Sequence, residues 1–263
     1  MLALIAGEGA LPGLVHARLA PDVVVCEMRG FASGLPDPLI FEVERLGSFL
    51  KDLKARGVSE VCFAGAVRRP KLDPKRIDAR TLPLVPKVMA AIGKGDDAAL
   101  RAVLAIFEEA GLRIVAAHEV LPDLLLPEGC PTAARPGERD RKDAARAAEI
   151  LAAMGAVDLG QAVVVAAGQA LAVETLGGTD WMLRTLGAER PAGPGGGILF
   201  KAPKPGQDRR VDLPVIGPRT VEGAAAAGLN GIVIEAGGVM VLEREAVIGA
   251  ADEAGLFLWA RAR

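Results

Sequence analysis

Short apolar runs alternate with stretches of helical spacing along the first half of the chain. Residues 2–5, 23–26 and 61–63 are brief, nearly continuous apolar segments, the pattern of strands buried on both faces of a parallel sheet. Residues 48–56, 86–92 and 96–110 carry apolar side chains at three- and four-residue spacing and predict helices. Gly111 stops the last of these, and 112–117 predicts a further strand. This rhythm predicts a parallel, doubly wound sheet. A break follows, where Pro127, Gly129 and Pro131 lead into a polar stretch over 135–140. Beyond it an Ala-rich helix is expected at 141–154. Strands are expected at 162–166, 171–174, 198–200, 232–235 and 239–242, and helices at 181–186, 220–227 and 245–253. The chain therefore reads as two α/β halves joined by a linker at 131–140.

Composition narrows the class. Of 263 residues 51% are hydrophobic and mean hydropathy is +0.32, so a large core is available and disorder is not expected. A net charge of −2 argues against non-specific nucleic-acid binding, and 3% aromatics without any tyrosine argues against base stacking. Cys26, Cys62 and Cys130 are far apart and form no CxxC pair. With only His16 and His118 besides, a structural zinc site is not expected. Cys26 and Cys62 fall in apolar runs and read as inert core residues of a reducing cytosol. Both histidines read as structural. The apolar start, residues 1–7, lacks a basic flank and meets Glu8, so it reads as a first strand. No apolar run has the length of a membrane span; if a membrane matters, it matters as a source of substrate.

The most informative stretch is 201–218, KAPKPGQDRRVDLPVIGP. Its prolines exclude a helix and favour extended backbone, so its lysines, arginines and aspartates are expected on rigid extended chain between apolar runs. Cations there suit phosphate oxygens, and adjacent aspartates suit a hard cation such as Mg²⁺. A loop of internal ion pairs accounts for the same residues, and chemistry alone does not choose. Other turns repeat the theme. Gly7-Glu8-Gly9-Ala10-Leu11-Pro12-Gly13 joins the first strand to a helix and offers backbone N–H groups to an anion, although Pro12 stands where a dinucleotide site needs glycine. A tight strand-to-helix turn explains it equally. Arg68 or Arg69 follows a strand end and suits an anion. Asp96 and Asp97 are explained by helix capping, which leaves Lys94 and Gly95 without such a reason. Gly178 and Thr179 open another helix, with Asp180 either a first-turn charge or a metal ligand. Glu235 ends a strand where an apolar residue would extend the run. No nucleophile elbow, Walker loop or Ser/His/Asp order is present.

Taken in order, these segments resemble the LpxI-type UDP-2,3-diacylglucosamine pyrophosphatases of lipid A biosynthesis over nearly the whole chain. The resemblance is carried by residues 4–12, Val67-Arg68-Arg69-Pro70, Lys94-Gly95-Asp96-Asp97, Asp158-Leu159-Gly160-Gln161, Gly178-Thr179-Asp180, residues 201–208 and 210–214, residues 217–221 and Glu235-Ala236-Gly237. Two positions depart from the family pattern: Gly177 stands where an acid is common, and 224–227 is four alanines. The resemblance implies Mg²⁺-dependent hydrolysis of the nucleotide-sugar lipid to UMP and 2,3-diacylglucosamine 1-phosphate. It implies an α/β fold with an N-terminal Rossmann-like parallel sheet over 1–130, the linker, and a C-terminal mixed α/β catalytic domain over 141–263, the ligand site lying in the cleft between domains. Asp180, Asp208 and Asp212 are the expected metal ligands or water activators, with Lys201 completing the catalytic set. Expected substrate contacts are Gly7, Gly9, Leu11, Pro12, Arg68, Lys94, Gly95, Gln161, Gly178, Thr179, Lys204, Gln207, Arg210, Gly217, Thr220, Glu235 and Gly237. The implied partners are the glycolipid substrate and product and, transiently, the inner-membrane surface on its cytoplasmic side, with no nucleic acid; a homodimer is an option. The alternative is a non-catalytic nucleotide-sugar or glycolipid binding protein, which would use the same cradle without turnover.

Overall fold

The computed structural model describes residues 1–67, 72–92 and 96–263, and their side chains except at 91, 92, 96 and 97. The chain divides into two compact units, Met1–Pro122 and Asp123–Arg263.

The first unit runs β1 (Leu2–Ala6), α1 (Leu11–Leu19), β2 (Val23–Met28), β3 (Leu39–Phe41), α2 (Leu46–Ala55), β4 (Glu60–Ala64), α3 (Val85–Ile92), α4 (Asp96–Glu109), β5 (Arg113–Val115) and the short α5 (Ala117–Val120). Its five strands form one wholly parallel sheet in the order β3-β2-β1-β4-β5. The apolar runs are strands because both faces are covered: Ala3, Leu4, Val61 and Cys62 are all buried. Burial pushes the thiols of Cys26 and Cys62 up to about 12, as inert core positions require.

The second unit runs α6 (Glu138–Ala156), β6 (Ala162–Ala166), β7 (Gln169–Val173), α7 (Gly178–Ala188), β8 (Ile198–Lys201), β9 (Val215–Ile216), α8 (Pro218–Ala226), β10 (Gly231–Glu235), β11 (Met240–Val241), α9 (Arg244–Glu253) and β12 (Phe257–Arg261). Its main sheet is mixed, in the order β12-β10-β8-β6-β7. The first three strands are parallel, and β6 is antiparallel to both β8 and β7. The two-residue side-chain period sorts each strand between two cores. Val163, Val165, Ile198, Phe200, Val233 and Phe257 pack with α6. Val164, Leu199, Ile232, Ile234 and Leu258 pack with residues of α7, α8 and α9.

Two expectations change here. Residues 131–140 are not a free-standing linker but part of the second unit. Thr132 is fully buried and its hydroxyl accepts the Leu258 N–H at 2.9 Å, Gly129 bridges Ala260, and the Ala133 N–H donates to Asp252 at 2.7 Å. Thr132 and Asp140 are buried there, whereas Arg135, Glu138 and Arg139 face solvent. The 201–218 segment is not extended throughout. It turns at Pro205–Gly206 and again after Asp208, whose carbonyl accepts the Val211 and Asp212 N–H groups at 3.3 and 3.2 Å. Residues 206–212 contain no proline, so nothing there forbids the turn.

Candidate functional site

Lys201 ends β8. It shares the parity of Leu199, so the pleat sends its side chain toward the α7 side of the sheet. There its Nζ donates to Thr179 Oγ1 at 2.6 Å, in the first turn of α7. The Thr179 hydroxyl in turn donates to Glu174 Oε1 at 2.6 Å, and Glu174 Oε2 accepts the Gln161 N–H at 2.7 Å. The Lys201 ammonium lies 3.9 Å from Glu174. All three side chains are buried, Lys201 being only 7% exposed. Burial pulls the lysine below its ordinary value, and the opposing pull of Glu174 and Asp180 does not cancel it. Gly160 makes this arrangement possible: a Cβ there would stand 2.2 Å from the Glu174 carbonyl oxygen.

The loop after β8 carries a second set. Lys204 forms an ion pair with Asp158, and its N–H donates to Gln207 Oε1 at 2.8 Å. Gln207, itself buried, donates from Nε2 to the Asp212 carbonyl at 2.6 Å and to the Asp212 carboxylate. Arg210 grips Asp208 with two hydrogen bonds, Nε at 3.0 Å and Nη2 at 2.7 Å. Arg209 pairs with Glu235 at 2.5 Å, and Arg219 lies 3.5 Å from Asp180. Thr220 is a helix cap: its Oγ1 accepts the Gly217 N–H at 3.3 Å and its own N–H donates to the Gly217 carbonyl at 2.9 Å. The Gly237 N–H is taken by the Leu126 carbonyl at 3.0 Å. Beside this loop a cavity of about 170 Å³ is lined by Leu151, Phe200, Ala202, Pro203 and Pro205, with Glu235 and Arg261 among its polar walls.

The expected residues are thus gathered unevenly. Gln161, Thr179 and Lys201 meet around Glu174, while the Gly178 N–H is taken by the Thr175 carbonyl at 2.9 Å. Lys204, Gln207 and Asp212 are linked in series, with the Lys204 ammonium also paired to Asp158. Asp180, Asp208 and Asp212 are not assembled into a metal cage: among the described residues no group of three or more His, Cys, Asp or Glu could hold an ion. A Mg²⁺ ion held here would take one or two carboxylates and draw its remaining ligands from water or a bound anion. Asp208 and Asp212 sit on one turn, the first carboxylate held by Arg210 and the second by Gln207.

In the first unit the Gly7–Pro12 turn does not offer all its N–H groups to an anion. Gly7 donates to the Ala64 carbonyl at 2.8 Å and Glu8 to the Ala66 carbonyl at 2.9 Å, stitching β1 to the chain after β4. Gly9 has φ of 105° with open space beside it, and Leu11 and Pro12 are buried in the first turn of α1. Arg68, Lys94 and Gly95 lie outside the described residues.

Glu174 is the chief residue the pattern did not single out. Its signal was an acid at the end of an apolar strand, the same signal that marked Glu235. Packing accounts for part of the departures from the family pattern. A Cβ at Gly177 would stand 2.7 Å from the Trp181 ring. Ala224 and Ala227 are buried in the core against α7, and Ala225 and Ala226 face solvent.

Comparisons with known proteins bear on the family of the chain. Residues 1–124 match the LpxI N-terminal domain, and residues 127–259 match the LpxI C-terminal domain. The chain is 43% identical, over 273 aligned positions, to the UDP-2,3-diacylglucosamine pyrophosphatase LpxI of Caulobacter vibrioides, an alignment covering 98% of this chain and 96% of that protein. With both domain matches in order and a relative aligned from end to end, the chain belongs to the LpxI family.

Proposed function

We propose that the chain hydrolyses the diphosphate of UDP-2,3-diacylglucosamine, releasing UMP and 2,3-diacylglucosamine 1-phosphate, with Mg²⁺ as cofactor. The observation that carries the chemistry is the buried Lys201. An ammonium that burial disfavours gains most from an incoming anion, so it is prepared for a phosphate oxygen. Thr179 and Glu174 fix its direction before substrate arrives, which lowers the reorganisation needed at reaction. Lys204 and Arg210 add positive charge from the loop. Asp212, oriented by Gln207, and Asp208 are the groups to accept a proton from water or to meet the metal. Mg²⁺, when bound with the diphosphate, would neutralise charge on the phosphate oxygens. Leu176 and Trp181 expose apolar surface on either side of the Gly178–Asp180 turn, and the cavity beside Phe200 is largely apolar. Both support an acylated substrate drawn from the cytoplasmic face of the inner membrane. Among the described residues no helix is long and apolar enough to cross a membrane.

The test is release of UMP from UDP-2,3-diacylglucosamine with Mg²⁺ and with excess chelator. Release with Mg²⁺ that stops on chelation and returns on adding the metal is the expected result. Glycolipid binding without UMP release under both conditions would favour the carrier reading. The deacylated analogue should be a far weaker substrate, since each buried CH₂ contributes roughly 0.8 kcal/mol before ordering costs.

A further inference from the structure

We infer that Glu27 holds the ribose of the nucleotide, its carboxylate accepting a hydrogen bond from the 2′-hydroxyl. The inference rests on the uridine-nucleotide reading above and concerns the first unit alone. In the order β3-β2-β1-β4-β5 the chain moves outward in one direction from β1 to β3 and in the other from β4 to β5. The carboxyl edge between β1 and β4 is therefore a topological switch point, the place where open α/β sheets bind ligands. Ala6, the last residue of β1, is the register partner of both Ala64 and Glu27. Glu27 thus stands at that edge, one strand away from the switch.

Its environment asks for a donor. Glu27 is 6% exposed. Oε1 accepts the Ser33 N–H at 2.8 Å and the Ser33 hydroxyl, whereas Oε2 has no protein donor among the described residues. A buried carboxylate oxygen without a donor costs free energy that a ligand hydroxyl would recover. The charge also selects the ligand's chemistry, because a carboxylate repels phosphate and attracts hydroxyl. The neighbouring turn agrees: the Gly7 and Glu8 N–H groups are occupied by backbone carbonyls, so they do not draw a phosphate to this edge. Nucleotide-binding sheets place an acid roughly 20 residues beyond the glycine turn to hold a ribose hydroxyl, and Glu27 stands at that distance from Gly7.

The experiment titrates the full chain with UMP and with 2′-deoxy-UMP, for the wild type and for Glu27→Gln. The wild type should bind UMP about tenfold or more tightly than the deoxy form, the weight of one hydrogen bond to a charged acceptor. Glu27→Gln should weaken UMP to the level of the deoxy form and leave the deoxy form unchanged. A wild type that binds both within about twofold, or fails to bind UMP at millimolar concentration, overturns the inference. So does a Glu27→Gln chain that keeps the preference. Should that variant not fold, the wild-type ratio decides alone. Hydrolysis of the UDP-lipid by the same preparations separates the two readings. Turnover without ribose discrimination sinks only the Glu27 assignment, and ribose discrimination without turnover sinks only the hydrolase.

Discussion

Lys201, Thr179 and Glu174 form a short donor chain, the ammonium donating to the hydroxyl and the hydroxyl to the carboxylate, so their effects are expected to be coupled. Removing a carboxylate that meets metal or water differs, because it takes away transition-state stabilisation and little packing. Asp208→Ala and Asp212→Ala should each lower the hydrolysis rate by about 100-fold or more with the far-UV spectrum unchanged. Near-normal turnover in both would make the loop an ion-pair scaffold. Lys201 also gives a stability signature. Its folded-state value is held below the ordinary 10.5, so between the two values the unfolded chain binds a proton that the folded chain does not. Stability contributed by this group must then rise with pH through that window. Denaturant midpoints of the wild type relative to Lys201→Met should shift in favour of the wild type as pH rises toward 10.5, and a flat difference would contradict the burial argument. The basic character of 201–210 was legible from residue types. The hydroxyl bridge through Thr179 was not, because it depends on two side chains meeting across separate elements.

At the scale of elements, most strands and helices were legible because burial on both faces leaves an unbroken apolar run and amphipathic helices keep their period. The misses were local. β3 is three residues long and β9 two, too short for any period to show, and β12 was missed although residues 256–260 are an apolar run. The turn at 208–212 was hidden by prolines on either side of it. The connection from α6 to β6 shows how strictly an element can depend on one residue. Gly160 has φ of 44°, and any Cβ there meets the Glu174 carbonyl. Gly160→Ala should destabilise the chain by more than about 1 kcal/mol and also reduce turnover, since Gln161 can then no longer hold Glu174 in place. Gly193→Ala, where nothing lies within 4 Å of the added carbon, should change neither, and thermal melts of the pair provide the control.

For the whole molecule, the two halves were legible and the place of division was not. Polar, proline-rich composition marks a surface connection, but it cannot distinguish a free segment from one that caps its neighbours, as 123–140 does. A fragment spanning Asp123–Arg263 should therefore melt cooperatively, whereas one starting at 141 loses the Thr132–Leu258 bond and the Gly129–Ala260 bridge. The shorter piece should melt several degrees lower or not cooperatively at all, and equal melting of both would restore the linker. The family was legible from ordered short segments, none diagnostic alone. The absence of tyrosine has a use beyond argument about base stacking. Near-ultraviolet emission comes from two indoles, Trp259, with the Arg141 guanidinium 5.2 Å from its ring, and Trp181, half exposed and next to Asp180. Replacing Trp259 by Phe leaves a single native fluorophore beside the Lys201 cluster, able to report ligand arrival without any attached dye.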